Sequence, residues 1–532
     1  MLSEDKFFQT DDKQTIWQRY CGFLDLSLDE FMRIQELLLL EEIELVADSP
    51  LGRRIMNNKQ PTSVAEFRRI VPLTTYKDYA PYIGDRQEDA LAEKPYLWGH
   101  TSGRGGSIKW IPCTYRAIEV ACKNTIATFM LASADRRGDV NFLPGTRLLV
   151  NLPPRPYMAA CLAYSLMENF SIQMIPSQDV AEKMEFMERI EKSFTIALRT
   201  GVDQIGSMSS ILVKIAEGFT KQGRKMRLTS STVHPAVLLR LLRAWLRSKV
   251  HGRALLPSDL WKVKGIVGWG ADTAFYKEKV QAYWGRTPLE SYAASETGHI
   301  AIQSWTKKTL TFLHDSVFLE FVPESEWVKS RDDAEYQPAT VLLNEVEEGA
   351  NYEIVITSFY GLPFLRYRLG DFIRIVALKD IETGVNLPQM LVKGRADDII
   401  DIAGFTRIDE KTIWQAIANT GIRYEDWTIR KEYEQDKTNL HLYIELREDR
   451  KPKEVGHLIH EQLKAVDQDY KNLEAMLKIQ PLRVTLLSKG TFPRYLEEQQ
   501  RAGADLAHLK PRHTNVSDSV IQVLLRLSRE LA

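Results

Sequence analysis

Small and charged residues crowd into one short stretch, His100–Pro112 (HTSGRGGSIKWIP), which carries Thr101, Ser102, Gly103, Gly105, Gly106, Ser107 and Lys109. Glycines let backbone N–H groups close around phosphate oxygens, hydroxyls add donors, and a lysine adds positive charge. The spacing fits neither the G-x-x-x-x-G-K-[ST] phosphate loop nor the G-x-G-x-x-G dinucleotide fingerprint. Taken alone, the stretch also reads as a flexible surface turn.

Four further segments carry chemistry of a related kind. In Tyr292–Gly298 (YAASETG), Glu296 follows a strand-like run at Pro288–Ser291. An acidic residue just past a strand end suits Mg²⁺ or a ligand at the carboxyl edge of a sheet; the alternative is a loop glutamate facing solvent. In Phe364–Asp371 (FLRYRLGD), Arg366, Arg368 and Asp371 sit near a glycine turn. They suit a clamp on a ribose and a phosphate, or equally a surface ion-pair turn. In Lys393–Arg407 (KGRADDIIDIAGFTR), Asp397 and Asp398 are neighbours. Neighbours in extended chain point to opposite faces, so a hinge or structural turn is the better reading than a metal pair. The last segment, Ser488–Arg512, ends with Lys510 and Arg512 flanking Pro511. A lysine on a C-terminal lid can reach a phosphate only when the lid closes; an ordinary surface lysine is the other reading.

Some scaffold must bring these segments together. The first part of the chain reads as helical, with Ser27/Glu30 and Ser63/Glu66 each matching the S-x-x-E capping box before an apolar-periodic run. From about Gly145, short apolar runs (Arg147–Leu152, Gly265–Trp269) alternate with helical patterns (Val180–Leu198, Met208–Phe219, Ala236–Val250). That alternation predicts an α/β architecture with mixed, largely parallel sheet. Further strands are expected at Val317–Val322, Ala339–Leu343, Tyr352–Ser358 and Phe372–Val376. Arg240, Arg243 and Arg247 fall on one face of the helix LLRLLRAWLRSKV, opposite its leucines. It is read as a plain surface helix, a basic helix touching membranes or partners being the alternative.

A domain boundary is expected near Gly394–Asp398, dividing residues 1–394 from a small α+β lid at 395–532. In the lid, Thr412–Ala418 and Val455–Val466 read as helices, and Trp427–Tyr433, Leu440–Leu446 and Val484–Leu487 as strands, before a last helical stretch.

A chain of 532 residues exceeds what one core supports. With 70 Lys plus Arg against 71 Asp plus Glu, no global field favours nucleic acid or an acidic membrane, so neither is an expected partner. Any anionic ligand must be held by local geometry. Cys21, Cys113, Cys122 and Cys161 show no metal or redox spacing and read as buried thiols of a reducing, cytoplasmic compartment. No apolar run approaches the roughly 20 residues that span a bilayer.

In this order, the five segments resemble those of the adenylate-forming superfamily of acyl-CoA synthetases, luciferases and peptide-synthetase adenylation domains. TSGRGGSIK is similar to its phosphate loop, YAASE to Y-G-x-[ST]-E, YRLGD to Y-R-x-G-D, and GRADDIIDIAG to the G-R-x-D-D-x-I-x-x-x-G hinge. The chain resembles most the auxin-responsive (Gretchen-Hagen-type) acyl-acid amido synthetases and their bacterial relatives. The likeness extends to Phe67–Ile83 (FRRIVPLTTYKDYAPYI) and to Gly490–Arg512 with its GTF, RAGA and LKPR blocks.

The resemblance implies ATP and Mg²⁺ as cofactors, a carboxylic acid activated as its acyl-AMP, and an amino acid or CoA as acyl acceptor. It implies that Thr101, Ser102, Gly103, Gly106 and Lys109 border the ATP phosphates, with Tyr292 and Ser295 beside the nucleotide. Glu296 is then the Mg²⁺ ligand, Asp371 takes the ribose hydroxyls, and Arg395 assists near the nucleotide. Asp397 is the hinge, and Lys510 the lid lysine of adenylation. The chain departs from the pattern at Arg104, at Ala293 and Ala294, and at Asp401. An amide ligase is the leading expectation, an acyl-CoA ligase the second, and a catalytically silent nucleotide- or acyl-binding member the third.

Overall fold

Apolar periodicity and caps make the N-terminal end of the chain helical ahead of the first strand. In the computed structural model, which describes residues 2–101, 109–150, 152–184, 186–222, 234–269, 273–333, 335–395, 400–402, 406–434, 437–467, 470–471, 482–501 and 513–532, the helix Leu28–Val46 opens on a complete capping box. Ser27 accepts from the Glu30 N–H, and the Glu30 carboxylate reaches back to the Ser27 N–H at 2.9 Å. The second expected box is half formed. Ser63 accepts from Glu66 N–H at 3.2 Å, but the Glu66 carboxylate goes to Thr62 instead.

The chain divides into two units: Met1–Leu369 with Ile373–Val392, and Gly370–Phe372 with Lys393–Ala532. The first contains the hairpin of β1 (Leu97–His100) and β2 (Trp110–Cys113) and a large sheet. The sheet's strands are β3 (Thr146–Val150), β4 (Ile172–Ile175), β5 (Gln204–Met208), β6 (Gly265–Trp269), β7 (Leu289–Ala294), β8 (Gly298–Gln303), β9 (Leu310–Phe312), β10 (Val317–Pro323), β11 (Asn351–Ser358), β12 (Tyr367–Ala377) and β13 (Gln389–Arg395). Their order is β10-β11-β12-β13-β9-β8-β7-β6-β5-β3-β4. From β4 to β7 the pairing is parallel; from β7 to β8 and on to β9 it is antiparallel. The parallel strands are short apolar runs joined through helices, as strands covered on both faces require. The expected α/β architecture with mixed and parallel sheet is therefore present.

Two expectations fail. Ala339–Leu343 is not a strand: only Val341 bridges to Phe321, because Thr340 turns its hydroxyl to Glu320 and its carbonyl to Arg68. The helix Pro235–Val250 also faces the opposite way. Val237 and Ala244 are buried, Arg240 donates to the carbonyls of Ala197 and Leu198, and most of the leucines point outward. All four cysteines are buried and unpaired, in line with packing.

In the second unit, the short strands β14 (Ile400–Ile402) and β15 (Thr406–Ile408) form a pair of their own. Separately, β16 (Tyr424–Glu434) pairs antiparallel with β17 (Lys437–Leu446), which pairs parallel with β18 (Leu482–Leu487). Period-2 alternation along β17 sorts its side chains. Leu440, Leu442, Ile444 and Leu446 enter one core with the helices Glu410–Asn419 and Pro452–Val466. Tyr443 faces a second core with the helices Thr491–Arg501 and Asp518–Glu530, and each fully buried aliphatic side chain contributes about 2 kcal/mol. Glu445 accepts from Gly490 and Phe492 N–H at 2.6 and 2.8 Å, capping the helix Thr491–Arg501.

Two buried ionisable groups give pH-dependent stability of opposite origin. Glu42 is buried with one oxygen on Gly361 N–H at 2.9 Å, and burial pushes its carboxyl up to about 8 from an ordinary 4.5. The folded chain keeps a proton that the unfolded chain has released, so a cost is absent below pH 4.5 and grows toward pH 8. Glu42→Gln is expected to raise the thermal midpoint by a few degrees at pH 8 and not at pH 4.5; equal shifts at both would exclude this account. His513 lies between Glu410 (2.6 Å) and Asp426 (2.8 Å), stacked on Trp427 at 4.5 Å. Burial opposes its charge, but Asp426 and Glu410 override burial and lift the imidazole from 6.5 to about 9. Its contribution is thus full below pH 6.5 and lost as pH rises through 9. His513→Asn should speed hydrogen exchange of the β16 and β17 amides at pH 6, with the difference shrinking above pH 9.

Candidate active site

The neck of the glycine-rich stretch is held by its flanking residues. Thr101 N–H donates to the Lys109 carbonyl at 3.0 Å, and Lys109 N–H to the Thr101 hydroxyl at 3.3 Å, extending the β1/β2 pairing by one step. Ser102, Gly103 and Gly106 lie outside the described residues. The side chain of Lys109 is placed by the hairpin register, one position before Trp110, whose N–H donates to the Tyr76 hydroxyl at 3.0 Å.

Glu296 sits in the turn between β7 and β8, at the carboxyl edge of the parallel strands where pairing turns antiparallel. Two features shape this turn. A register shift falls between Tyr292 and Ala293, and Gly298 adopts φ +69°, a conformation that disfavours side chains. Ser316 braces it from beneath, donating to the carbonyls of Thr297 and His299, while neighbouring Asp315 pairs with Lys123 at 3.0 Å. The Glu296 residue is 9% exposed.

Tyr367 joins these two pieces. Its hydroxyl donates to Glu296 Oε1 at 3.2 Å and accepts from Lys109 Nζ at 3.2 Å, and Lys109 Nζ stands 3.9 Å from Glu296 Oε1. The Lys109 ammonium also lies 5.1 Å from the ring centre of Tyr76, within cation–π range. Burial raises the Tyr76 phenol above its usual range, and the charge of Glu296 adds to that. Carboxylate, phenol and ammonium form one chain, with the ammonium fixed yet still partly open to solvent.

The segment Phe67–Ile83 supports this arrangement. Thr74 bridges to Tyr367 in parallel, its hydroxyl donating to the Leu365 carbonyl at 2.7 Å. Tyr79 accepts from Leu365 N–H at 2.9 Å and places its ring 6.0 Å from that of Tyr367. Tyr76 and Tyr367 are the functional candidates that reasoning from sequence misses. Both lie inside the blocks quoted above, Tyr367 as the first letter of YRLGD.

Of the two readings of that block's arginines, the structure shows ion pairing, away from the surface. Arg366, in a left-handed conformation (φ +46°), is buried in a two-pronged pair with Glu320 (3.0 and 2.8 Å) and donates to the carbonyls of Arg68 and Val71. Arg368 pairs with Glu353 at 2.6 Å. Opposite charges supplied by the fold have claimed both guanidinium groups.

The other expected site residues lie on or just after β7, on β12 and β13, or outside the described residues. Tyr292 is buried on β7 and Ser295 half-buried in the turn beside Glu296. Asp371 is half-buried on β12 and groups with the second unit, after Gly370 at φ +72°. Arg395 ends β13, its side chain outside the described residues, as are Asp397 and Lys510. Of the aromatic side chains near strand ends, Phe359 is core and Tyr164 bonds Asp179 at 3.0 Å. Tyr157 packs on His100 at 4.3 Å, and Trp269 lies against Gly206, where a Cβ would meet it at 2.8 Å.

Among the described residues, no group of three or more His, Cys, Asp or Glu is arranged to hold a metal. Mg²⁺ takes one or two carboxylates and completes its shell with phosphates and water, so a single carboxylate at Glu296 fits that ion and does not fit a structural metal.

This mixed sheet and α+β unit have counterparts among solved structures. The chain superposes on the AtGH3.15 acyl acid amido synthetase in complex with 2,4-DB with a TM-score of 0.70, at 17% identity and over 97% of both chains. It superposes on a 2-hydroxyisobutyryl-CoA ligase in the postadenylation state with a TM-score of 0.57, at 14% identity, over 94% of this chain and 91% of that one. Residues 22–147 match the GH3 family N-terminal domain, 310–389 the central domain and 410–517 the C-terminal domain, together more than half of the sequence. The chain belongs to the GH3 family. Among sequence relatives, the jasmonoyl--L-amino acid synthetase GH3.5 of Oryza sativa subsp. japonica is 29% identical over 274 residues, 47% of this chain and 45% of that protein. The chain thus aligns with less than two thirds of the length of the curated relatives it matches.

If Arg366 holds structure, Arg366→Ala should cost about 3 kcal/mol in urea unfolding, since it strips the buried Glu320 of its main partner. An unchanged unfolding midpoint with loss of nucleotide binding would restore the clamp reading.

Proposed function

We propose that this protein is an ATP-dependent ligase that activates a carboxylic acid as its acyl-AMP, releasing pyrophosphate, and passes the acyl group to an amine, an amino acid being the expected acceptor. The observation that supports it most is the chain Lys109–Tyr367–Glu296. Three motif segments far apart in sequence contribute one residue each, at hydrogen-bonding distance. Membership of the GH3 family, and relatives named as jasmonoyl– and indole-3-acetic acid–amido synthetases, support the amine as acceptor.

A carboxylate acylates poorly because oxide would have to leave. In adenylation a carboxylate oxygen attacks the α-phosphorus, the α–β bridging bond breaks, and pyrophosphate departs with the electron pair. The amine then attacks the acyl carbon, AMP leaves, and the ammonium proton is lost. Two anions must meet in the first step, so positive charge aimed at the phosphates is the main requirement. In this reading Lys109, held beside Glu296 through Tyr367, turns its ammonium to the incoming phosphates. Glu296 would hold Mg²⁺, which when bound would screen the phosphate charge.

Thr101, Ser102, Gly103 and Gly106 supply phosphate donors, Tyr292 and Ser295 flank the nucleotide, and Asp371 takes the ribose. Residues 395–532 act as a lid, with Arg395 near the nucleotide, Asp397 the pivot and Lys510 the closing lysine. These roles belong to the proposal.

Exchange of labelled pyrophosphate into ATP across a panel of carboxylic acids tests it, followed by product analysis with an amino acid mixture or CoA. Exchange with at least one acid and an amide product are expected. Glu296→Ala should abolish exchange, and Tyr367→Phe should slow it about ten- to a hundred-fold, the worth of a hydrogen bond to a charged group. A thioester without an amide would make the chain a CoA ligase. Acid binding with no exchange would make it a silent member.

A further inference from the structure

The helix Pro235–Val250 shows the solvent a face that its composition suits to a core. Leu238, Leu239, Leu242, Trp245, Leu246 and Val250 are between 46 and 83% exposed. At 3.6 residues per turn they form one stripe along the whole helix. The opposite side is the one packed down: Val237 and Ala244 are buried, and Arg240 and Arg247 donate to carbonyls of Ala197, Leu198 and Asp259. Rotating the leucines inward would break those bonds, so the outward face is built in. A contiguous apolar patch of this size marks an interaction surface.

Charge selects what covers it. From His234 to Leu256 the chain carries Arg240, Arg243, Arg247, Lys249 and Arg253 and neither Asp nor Glu. A second copy laid on this stripe would set two basic rims against each other with no acidic group on either helix to pair them. An anionic surface removes that repulsion. Trp245, with Lys249 Nζ 5.8 Å from its ring, is the side-chain pair that settles at a headgroup boundary, ring in and ammonium out. The helix has 16 residues, and no described helix is long and apolar enough to cross a membrane, so it would lie in the plane of the surface.

We propose that the outward face of Pro235–Val250 docks this protein on an anionic lipid surface, the apolar stripe entering the headgroup region and Arg243 and Lys249 meeting lipid phosphates. The helix alone carries this, whether or not the ligase activity holds, and it departs from the expectation of no membrane partner.

Flotation of the full chain with vesicles of phosphatidylcholine, or of phosphatidylcholine containing a quarter phosphatidylglycerol, tests it. Binding to the anionic vesicles only is expected. It should fall about ten-fold or more in a Leu242→Glu, Trp245→Glu variant and several-fold in Arg243→Glu or at high salt. Because these side chains are exposed, thermal midpoints should stay within about 2 °C of the parent, which separates lost docking from lost folding. Binding to neither vesicle, equal binding to both, or undiminished binding by the double variant would overturn the proposal. So would a dimer in light scattering that Leu242→Glu dissolves while vesicles bind nothing, since the occupant would then be a second copy.

Discussion

Tyr367 ties an ammonium to a carboxylate across 258 positions of sequence on one side and 71 on the other. A lone lysine at the neck of a glycine-rich stretch would sample many rotamers, and a lone buried glutamate would leave its oxygens without a donor. With the phenol between them, each group helps hold the other, and neither is locked in the tight pair that two-pronged arginine would give. At 3.9 Å the lysine is attracted to Glu296 without being spent on it. That difference separates Lys109 from Arg366 and Arg368, whose charges are fully engaged.

The phenol keeps its place because of what lies behind it. Arg366, in a left-handed conformation, is held by Glu320 and by the carbonyls of Arg68 and Val71, and Thr74 pairs with the strand beside it. The N-terminal segment is thereby locked to β12 from both sides of Tyr367, and the same segment delivers Tyr76 to Lys109. The block FLRYRLGD is thus one local device in two layers, the arginines supporting and the tyrosine reaching the site. A buried arginine–carboxylate pair contributes little net stability against an apolar substitute, but it permits few alternative registers.

Much of this is legible in the sequence, and the failures have physical causes. Strands with continuous apolar runs, such as Gly265–Trp269, and strands with strict alternation, such as Leu440–Leu446, are visible because their side-chain pattern is set locally. Glu296 is visible because it follows a strand end. Tyr76 and Tyr367 are not, since a tyrosine in a run of apolar and aromatic residues has no signature that distinguishes reaching from packing. Arg366 and Arg368 mislead because their partners, Glu320 and Glu353, lie on other strands. An ion pair closed by the fold leaves no trace in the spacing of either residue.

The helix Pro235–Val250 shows a deeper limit of periodicity. The spacing of apolar residues says that a helix has two faces; it does not say which one meets the core. Neighbours make that choice here: the carbonyls of Ala197 and Leu198, near the end of their own helix, take the Arg240 guanidinium. Those bonds, together with the burial of Val237 and Ala244, anchor the arginine side of the helix against its neighbours. The arginine therefore sets the rotation of the helix, and the apolar stripe is left outside as its consequence.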